Sequence, residues 1–438
     1  MSAKILTSMT RYRNMTKTFN NNEKLGLWCG VRLNSVWSWS VAFIVAMGSI
    51  RGMLVINLDA PVAIVNMLSA GALLILAIYG WIKSGWYKHP ELTWLKNLLK
   101  LNMLLGIVNE VVDRFLGIPF EPSVLYLYLA PYIIFLFLRV PSYYFNVVII
   151  VVTIAISGSV MGNFIESLKG HEGWENALEY NLKLKSEDDT MGRSRTGQFF
   201  RASGYIGNPH DSANILGMVV SFFFIRFLLK KKVPDLGLFL FASLSLAMTQ
   251  SATNILSVLL TLIIFTAYIM IRSRKMSTYV YIFFGMVGIA VLITTFSEVM
   301  FIFMARIGDG GDWEGMTQQL GTDSMFSASP FILFGHATGF GSEIIQTEIS
   351  HLKILFQLGI IHSFIIFWIM LYPVFRFVKS RASCIEALPS AAAIFFGFIS
   401  LLHYGSLFRV TSVFLFYLFF ALCLNHIINV EEPTPKSN

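Results

Sequence analysis

Charge is what this chain of 438 residues has least of: 13% of it is Asp, Glu, Lys or Arg, about half the share of an ordinary soluble domain. Too few ionic groups remain to wet a soluble multidomain enzyme, and a hydrophobic content of 55% excludes intrinsic disorder as well. Cysteine is scarce, with three residues in the whole chain. Absent too are a Gly-rich loop ending in Lys-Ser/Thr, paired His/Cys ligand spacing and an Asp-x-Asp. No nucleotide or metal site is therefore expected, and any reaction would run on an already activated substrate. Apolar length is what the chain has instead. Its mean hydropathy is +0.65 and its pI about 9.3, so the net charge of +8 points to orientation in a membrane rather than to nucleic acid.

About 20 apolar residues cross a hydrocarbon core of roughly 30 Å as a helix. About twelve stretches qualify, near 36–57, 61–82, 95–116, 123–140, 142–163, 211–229, 235–250, 252–271, 277–297, 351–375, 386–404 and 411–428. The expected fold is an all-α, polytopic membrane protein. Arg11, Arg13, Lys17, Lys24 and Arg32 precede the first stretch, Lys83 and Lys88 follow the second, and Lys230, Lys231 and Lys232 follow the sixth. Arg272, Arg274 and Lys275 follow the eighth; Arg376, Lys379 and Arg381 follow the tenth. If the helices alternate, all of these share one side, the cytoplasmic one, with both termini. Cys29, Cys384 and Cys423 fall in or near that half, so no disulfide is expected. The polar N-terminal segment carries no signal-peptide pattern.

The expected organisation is a cytoplasmic segment 1–34, helices one to five over 35–163, an outer loop 164–210, helices six to nine over 211–297, a large outer loop 298–350, helices ten to twelve over 351–428, and a cytoplasmic tail 429–438. Chemistry should be sought in the two long outer loops. The first ends in Arg201-Ala-Ser-Gly-Tyr-Ile-Gly-Asn-Pro-His-Asp-Ser-Ala213. Asn208 suits an N-cap and Pro209 a first helical position, so a helix should start there with its amino end facing out. Such an end receives phosphate, and Arg201, with Arg193 and Arg195, offers guanidinium forks. A capped helix with arginines at the headgroup interface explains the same residues.

In the second loop Arg306 is the only Arg or Lys between Lys275 and Lys353. The loop closes with Thr347-Glu-Ile-Ser-His351. His351 can accept a proton from an attacking hydroxyl, and Glu348 could orient the ring; an interfacial histidine bound to headgroups is the alternative. Arg51, Glu110, Asp113, Arg114, His403, Tyr404 and Arg409 also lie near the outer face. Ionisable groups at membrane depth face a cavity or one another, and Arg51 and Arg409 could share a basic pocket with Arg201 and Arg306, although snorkelling toward phosphates accounts for each singly.

Three features resemble the O-antigen polymerase and O-antigen ligase superfamily of bacterial envelope glycosyltransferases: Arg201-x-x-Gly204-x-x-x-Asn208-Pro209-x-x-x-Ala213, the turn Gln250-Ser-Ala-Thr253, and Arg306 with Pro330…Phe334-Gly-x-x-x-Gly339-x-Gly341 followed by His351-Leu-x-x-Leu355-x-x-x-Gly359-Ile360. The resemblance covers roughly 195–375. It departs at His210, where relatives usually carry Asn, and in the lack of a second Arg after Arg306. The resemblance implies a GT-C type glycosyltransferase of the bacterial inner membrane, with a periplasmic active site and an undecaprenyl-diphosphate-linked oligosaccharide as donor. It implies no metal and no other cofactor. Carried over, His351 is the base or the group that positions the acceptor hydroxyl, Arg201 and Arg306 bind the diphosphate, and Asn208 caps the helix that completes the phosphate pocket; with Asn208, the residues Arg193, His210, Glu348, Arg51, Arg409 and Tyr404 are the candidate substrate-binding residues.

Membrane lipids, and a chain-length regulator as a candidate protein partner, complete the expectation; nucleic acid is not among the partners. The favoured activity is polymerisation, an inverting transfer of the glycan to a hydroxyl of a lipid-linked repeat unit. The alternatives are ligation to lipid A core, a transporter of lipid-linked oligosaccharide, and a non-catalytic assembly scaffold.

Overall fold

The computed structural model describes residues 34–87, 89–115, 128–184, 195–196, 199–273, 350–380, 385–401 and 410–431. Asn34 caps the first helix, α1 (Ser35–Ser49), its side chain accepting from the Trp37 amide at 2.9 Å. Helix α2 (Gly52–Leu58) continues the same apolar stretch after a bend of 75°. Helix α3 (Val62–Ser84) follows Pro61, and α4 (Pro90–Phe115) opens on a proline with Glu91 in its first turn. A short 3-10 turn at Ala130–Tyr132 leads into α5 (Ile133–Phe137), and α6 (Ser142–Ser167) starts behind Pro141.

Helix α7 (Gly170–Lys183) and a two-residue hairpin, β1 (Arg195–Thr196) against β2 (Phe199–Phe200), occupy part of the expected first outer loop. The chain then enters α8 (Pro209–Lys230), α9 (Val233–Met248) and α10 (Ala252–Ser273). Beyond them come α11 (Ser350–Lys379), a 3-10 turn at Ile385–Ala387, α12 (Leu388–Ser400) and α13 (Val410–Glu431).

The described residues form a helical membrane protein. Six helices are long and apolar enough to cross a bilayer, or seven when the bent pair counts as one span. Twelve were expected, and the differences have local causes. Helices α9 and α12, with 16 and 13 residues, are shorter than a full span. Helix α4 is long enough at 26 residues but carries Glu91, Lys96, Lys100, Glu110, Asp113 and Arg114. The stretch near 123–140 is not one straight helix in its described part. Pro131 supplies no amide hydrogen, and the backbone there turns as a 3-10 segment before α5 begins. The stretch 277–297, nearly all of the loop 298–350, and segment 1–33 lie outside the described residues.

Helix α8 is the centre of the bundle. Inside the protein, 83% of its apolar window is buried, against 22% for the peripheral α3. Helices α9, α10 and α12 pack along it, and Phe222 meets Phe419 of α13 with ring centroids 5.1 Å apart. Close approach needs small residues: a Cβ on Gly217 would lie 2.1 Å from the Phe396 ring, and one on Gly80 2.1 Å from the Tyr132 carbonyl oxygen. Backbone yields less readily than a side chain. Gly80→Val is expected to cost about 3 kcal/mol, the upper range of overpacking, whereas Gly71, with nothing within 4 Å, should accept Val. Unfolding temperatures of the two purified variants check this, and equal values would contradict it.

Contacts sort the charged groups between the two ends of the bundle. At one end Arg226 pairs with Asp235 at 3.2 Å and donates to Asn146 at 3.0 Å, while Arg376 pairs with Glu91 at 2.9 Å. Lys83 lies 3.7 Å over the Trp86 ring, and Arg139 faces the same ring. Lys230, Lys231, Lys232 and Lys379 close helices at this end. The start of α8, the turn between α9 and α10, the start of α11 and the end of α12 gather at the opposite end.

Candidate functional site

At that opposite end the segment 200–208 threads between helices and is held almost entirely through its backbone. The Ala202 amide donates to the Met248 carbonyl at 3.2 Å, that of Ser203 to Asn163 at 3.2 Å, and that of Tyr205 to Ser159 at 3.1 Å. The Ser203 hydroxyl donates to Asn181 of α7, and Ser212 donates back to the Ser203 carbonyl. Gly204 sits at φ 52° with Ser159 and Val160 against its α-carbon, a place that only a residue without Cβ fills without strain. A Cβ on Gly52, at the bend between α1 and α2, would be 1.7 Å from the Tyr205 carbonyl oxygen. That contact brings the neighbouring, half-buried Arg51 to this end. Burial, helped by nearby Tyr205, pushes the Tyr180 hydroxyl of α7 above its ordinary range, which keeps it protonated.

Asn208 caps α8 as expected, accepting from the His210 amide at 2.9 Å. The segment that precedes it delivers Arg201 to the same place. The Arg201 Nη2 lies 2.9 Å from His210 Nε2, and its Nε donates to the Thr249 carbonyl at 3.4 Å. Thr249 belongs to the turn after α9, where Gln250 takes φ 51°. Ser251 of that turn stands 3.1 Å from His210 Nδ1, and Asn254 donates to Ser251 at 3.0 Å and to the His210 carbonyl at 3.3 Å. A guanidinium is thus clamped beside the amino end of the central helix α8. Helix dipole and arginine bring positive potential to this end of α8, opposed by the buried carboxyl of Asp211 in its first turn.

His351 lies in the first turn of α11, its ring 4.8 Å from that of Phe398 and 5.2 Å from that of Phe367, close to the Leu401 backbone. Its buried Nδ1 has no hydrogen-bond partner among the described residues. Leu401 follows Ser400, whose hydroxyl donates at 2.8 Å to Asn214, one turn beyond His210 on α8. Successive contacts along α8 and the end of α12 thus link the Arg201 clamp to the surroundings of His351. Arg193, Arg306, Glu348, Tyr404 and Arg409 lie outside the described residues. No three His, Cys, Asp or Glu side chains stand together among the described residues.

One polar cluster was not anticipated. The α11 helix breaks at Gly359, where φ is 77° and ψ 166°. Ser363 donates to the Ile354 carbonyl at 2.9 Å, and Asn109 of α4 lies 3.5 Å from that of Leu358. His362 bridges Asn102 at 2.9 Å and Asn109 at 3.2 Å, and Tyr128 stacks on it at 5.4 Å. Two asparagines seven apart in α4, on one helical face, were the available signal. The cluster ties α4 to α11 just below the segment that bears His351. A scan against protein-family models finds no match to this chain, and a search of curated proteins finds none either.

Proposed function

We propose that this chain is a GT-C type glycosyltransferase with about twelve spans, counting those outside the described residues, embedded in a bacterial inner membrane with its site facing the periplasm. In this reading it is an O-antigen polymerase. A hydroxyl of a lipid-linked repeat unit attacks the anomeric carbon of a glycan on undecaprenyl diphosphate. The bond to the diphosphate breaks with inversion, the diphosphate leaves as an anion, and the hydroxyl proton passes to His351. Arg201 and Arg306 bind the departing diphosphate, an electrostatic task suited to preorganised donors.

The observation that carries the reading is the clamped Arg201 at the capped amino end of α8, at the end of the bundle away from the lysines. Excess Lys and Arg mark the cytoplasmic side, so the clamp would face outward. Purified protein in detergent with EDTA should convert lipid-linked repeat units into longer lipid-linked glycans and free undecaprenyl diphosphate. Transfer only when lipid A core is added would identify the ligase. Protein that is folded yet transfers to neither acceptor would sink the glycosyltransferase reading.

A further inference from the structure

We infer that His210 is a positioning residue that fixes Arg201 for a polyprenyl diphosphate, an inference that rests on the reading above. Arg201 Nη2 lies 2.9 Å from Nε2 and 3.5 Å from Nδ1 of the same His210 ring. Two such similar distances to the nitrogens on either side of one ring carbon place the guanidinium over the ring face, where it stacks. Nδ1 of that ring meets Ser251 Oγ at 3.1 Å. Ser251 is itself held by Asn254 at 3.0 Å, and Asn254 also reaches the His210 carbonyl at 3.3 Å. The turn between α9 and α10 thus fixes the orientation of the His210 ring, and the ring face seats the guanidinium.

His210 is 6% exposed, so it acts on a diphosphate through Arg201 and does not touch it. Thr249 grips the Nε edge of the same guanidinium. Two grips from different elements hold a long side chain in one rotamer before any ligand arrives, which is how preorganisation raises affinity.

Binding of undecaprenyl diphosphate to the purified full chain tests this. Arg201→Ala is expected to weaken binding, and His210→Ala, which removes the ring on which the guanidinium rests, to weaken it about fivefold or more, the worth of one cation–π contact. His210→Phe, which keeps the ring face, should stay within about threefold of wild type. In the Arg201→Ala background, His210→Ala should add nothing. Independent effects in that double variant, or a Phe variant as weak as Ala, overturn the inference. Where His210→Ala does not fold, His210→Leu takes its place, and a Leu affinity equal to wild type counts against the inference. Protein that binds the diphosphate in this His210-dependent way yet transfers no glycan upholds the positioning and removes the glycosyltransferase. Binding that ignores Arg201 removes both.

Discussion

Arg201→Ala should collapse the polysaccharide ladder to single repeat units while the protein still accumulates in the membrane. Loss of one preorganised donor to a developing oxyanion costs about 10²–10³ in rate. The structure gives reason to expect the upper part of that range, because the guanidinium is clamped by Thr249 and His210 before substrate binds. Arg201→Lys should recover little. An ammonium on a flexible stem cannot span the Thr249 carbonyl and the His210 ring with the same planar fork. The fold should tolerate the change, since residues 202–205 are tied down by their own backbone and by Ser203. Gels of surface polysaccharide, read beside an immunoblot of membranes, decide the matter. A normal ladder from well-expressed Arg201→Ala protein would refute the role.

His351→Phe is the second large effect. The ring sits against Phe367 and Phe398, so phenylalanine preserves the aromatic packing that alanine would empty. What Phe removes is the pair of ring nitrogens, and with them general-base catalysis worth about 10²–10⁴ in rate. A packing role predicts an active Phe variant and a damaged Ala variant; a chemical role predicts that both are inactive and that Phe melts like wild type. Turnover of lipid-linked repeat units together with thermal unfolding separates the two cases, and an active His351→Phe enzyme would leave His351 as packing alone.

Much of this architecture could be read from residue order. Apolar runs located most of the described helices, and the basic residues after them that lie among the described residues gather at one end. Asn208 and Pro209 announced the start of α8, because capping is local chemistry that four consecutive residues can specify. What escaped depends on distant partners. Asn102 and Asn109 looked like interruptions of an apolar helix, and His362 like one polar residue in another; only the fold brings them together across 260 and 253 positions. His210 reads from the sequence as a substrate ligand; that its side chain also meets Arg201 and Ser251 only the fold reveals. The bend between α1 and α2 was only partly legible: Gly48 and Gly52 flank it, but the Tyr205 carbonyl that lies against Gly52 comes from a distant segment.

The burial of α8 also bears on how the protein is made. The helix begins with Asp211, Ser212 and Asn214, all buried, and Asn214 finds Ser400 of α12. The chain emerges from the ribosome amino end first, so α8 is threaded into lipid long before α12 and α13 exist to cover it. Polar groups left in hydrocarbon cost several kcal/mol each. Until the last helices arrive, α8 is an awkward guest in the bilayer, held among the described helices by α6, α9 and α10. Burial of α8 is thus completed late in biogenesis, from the carboxyl end of the chain, whereas the clamp itself draws only on residues 201–254.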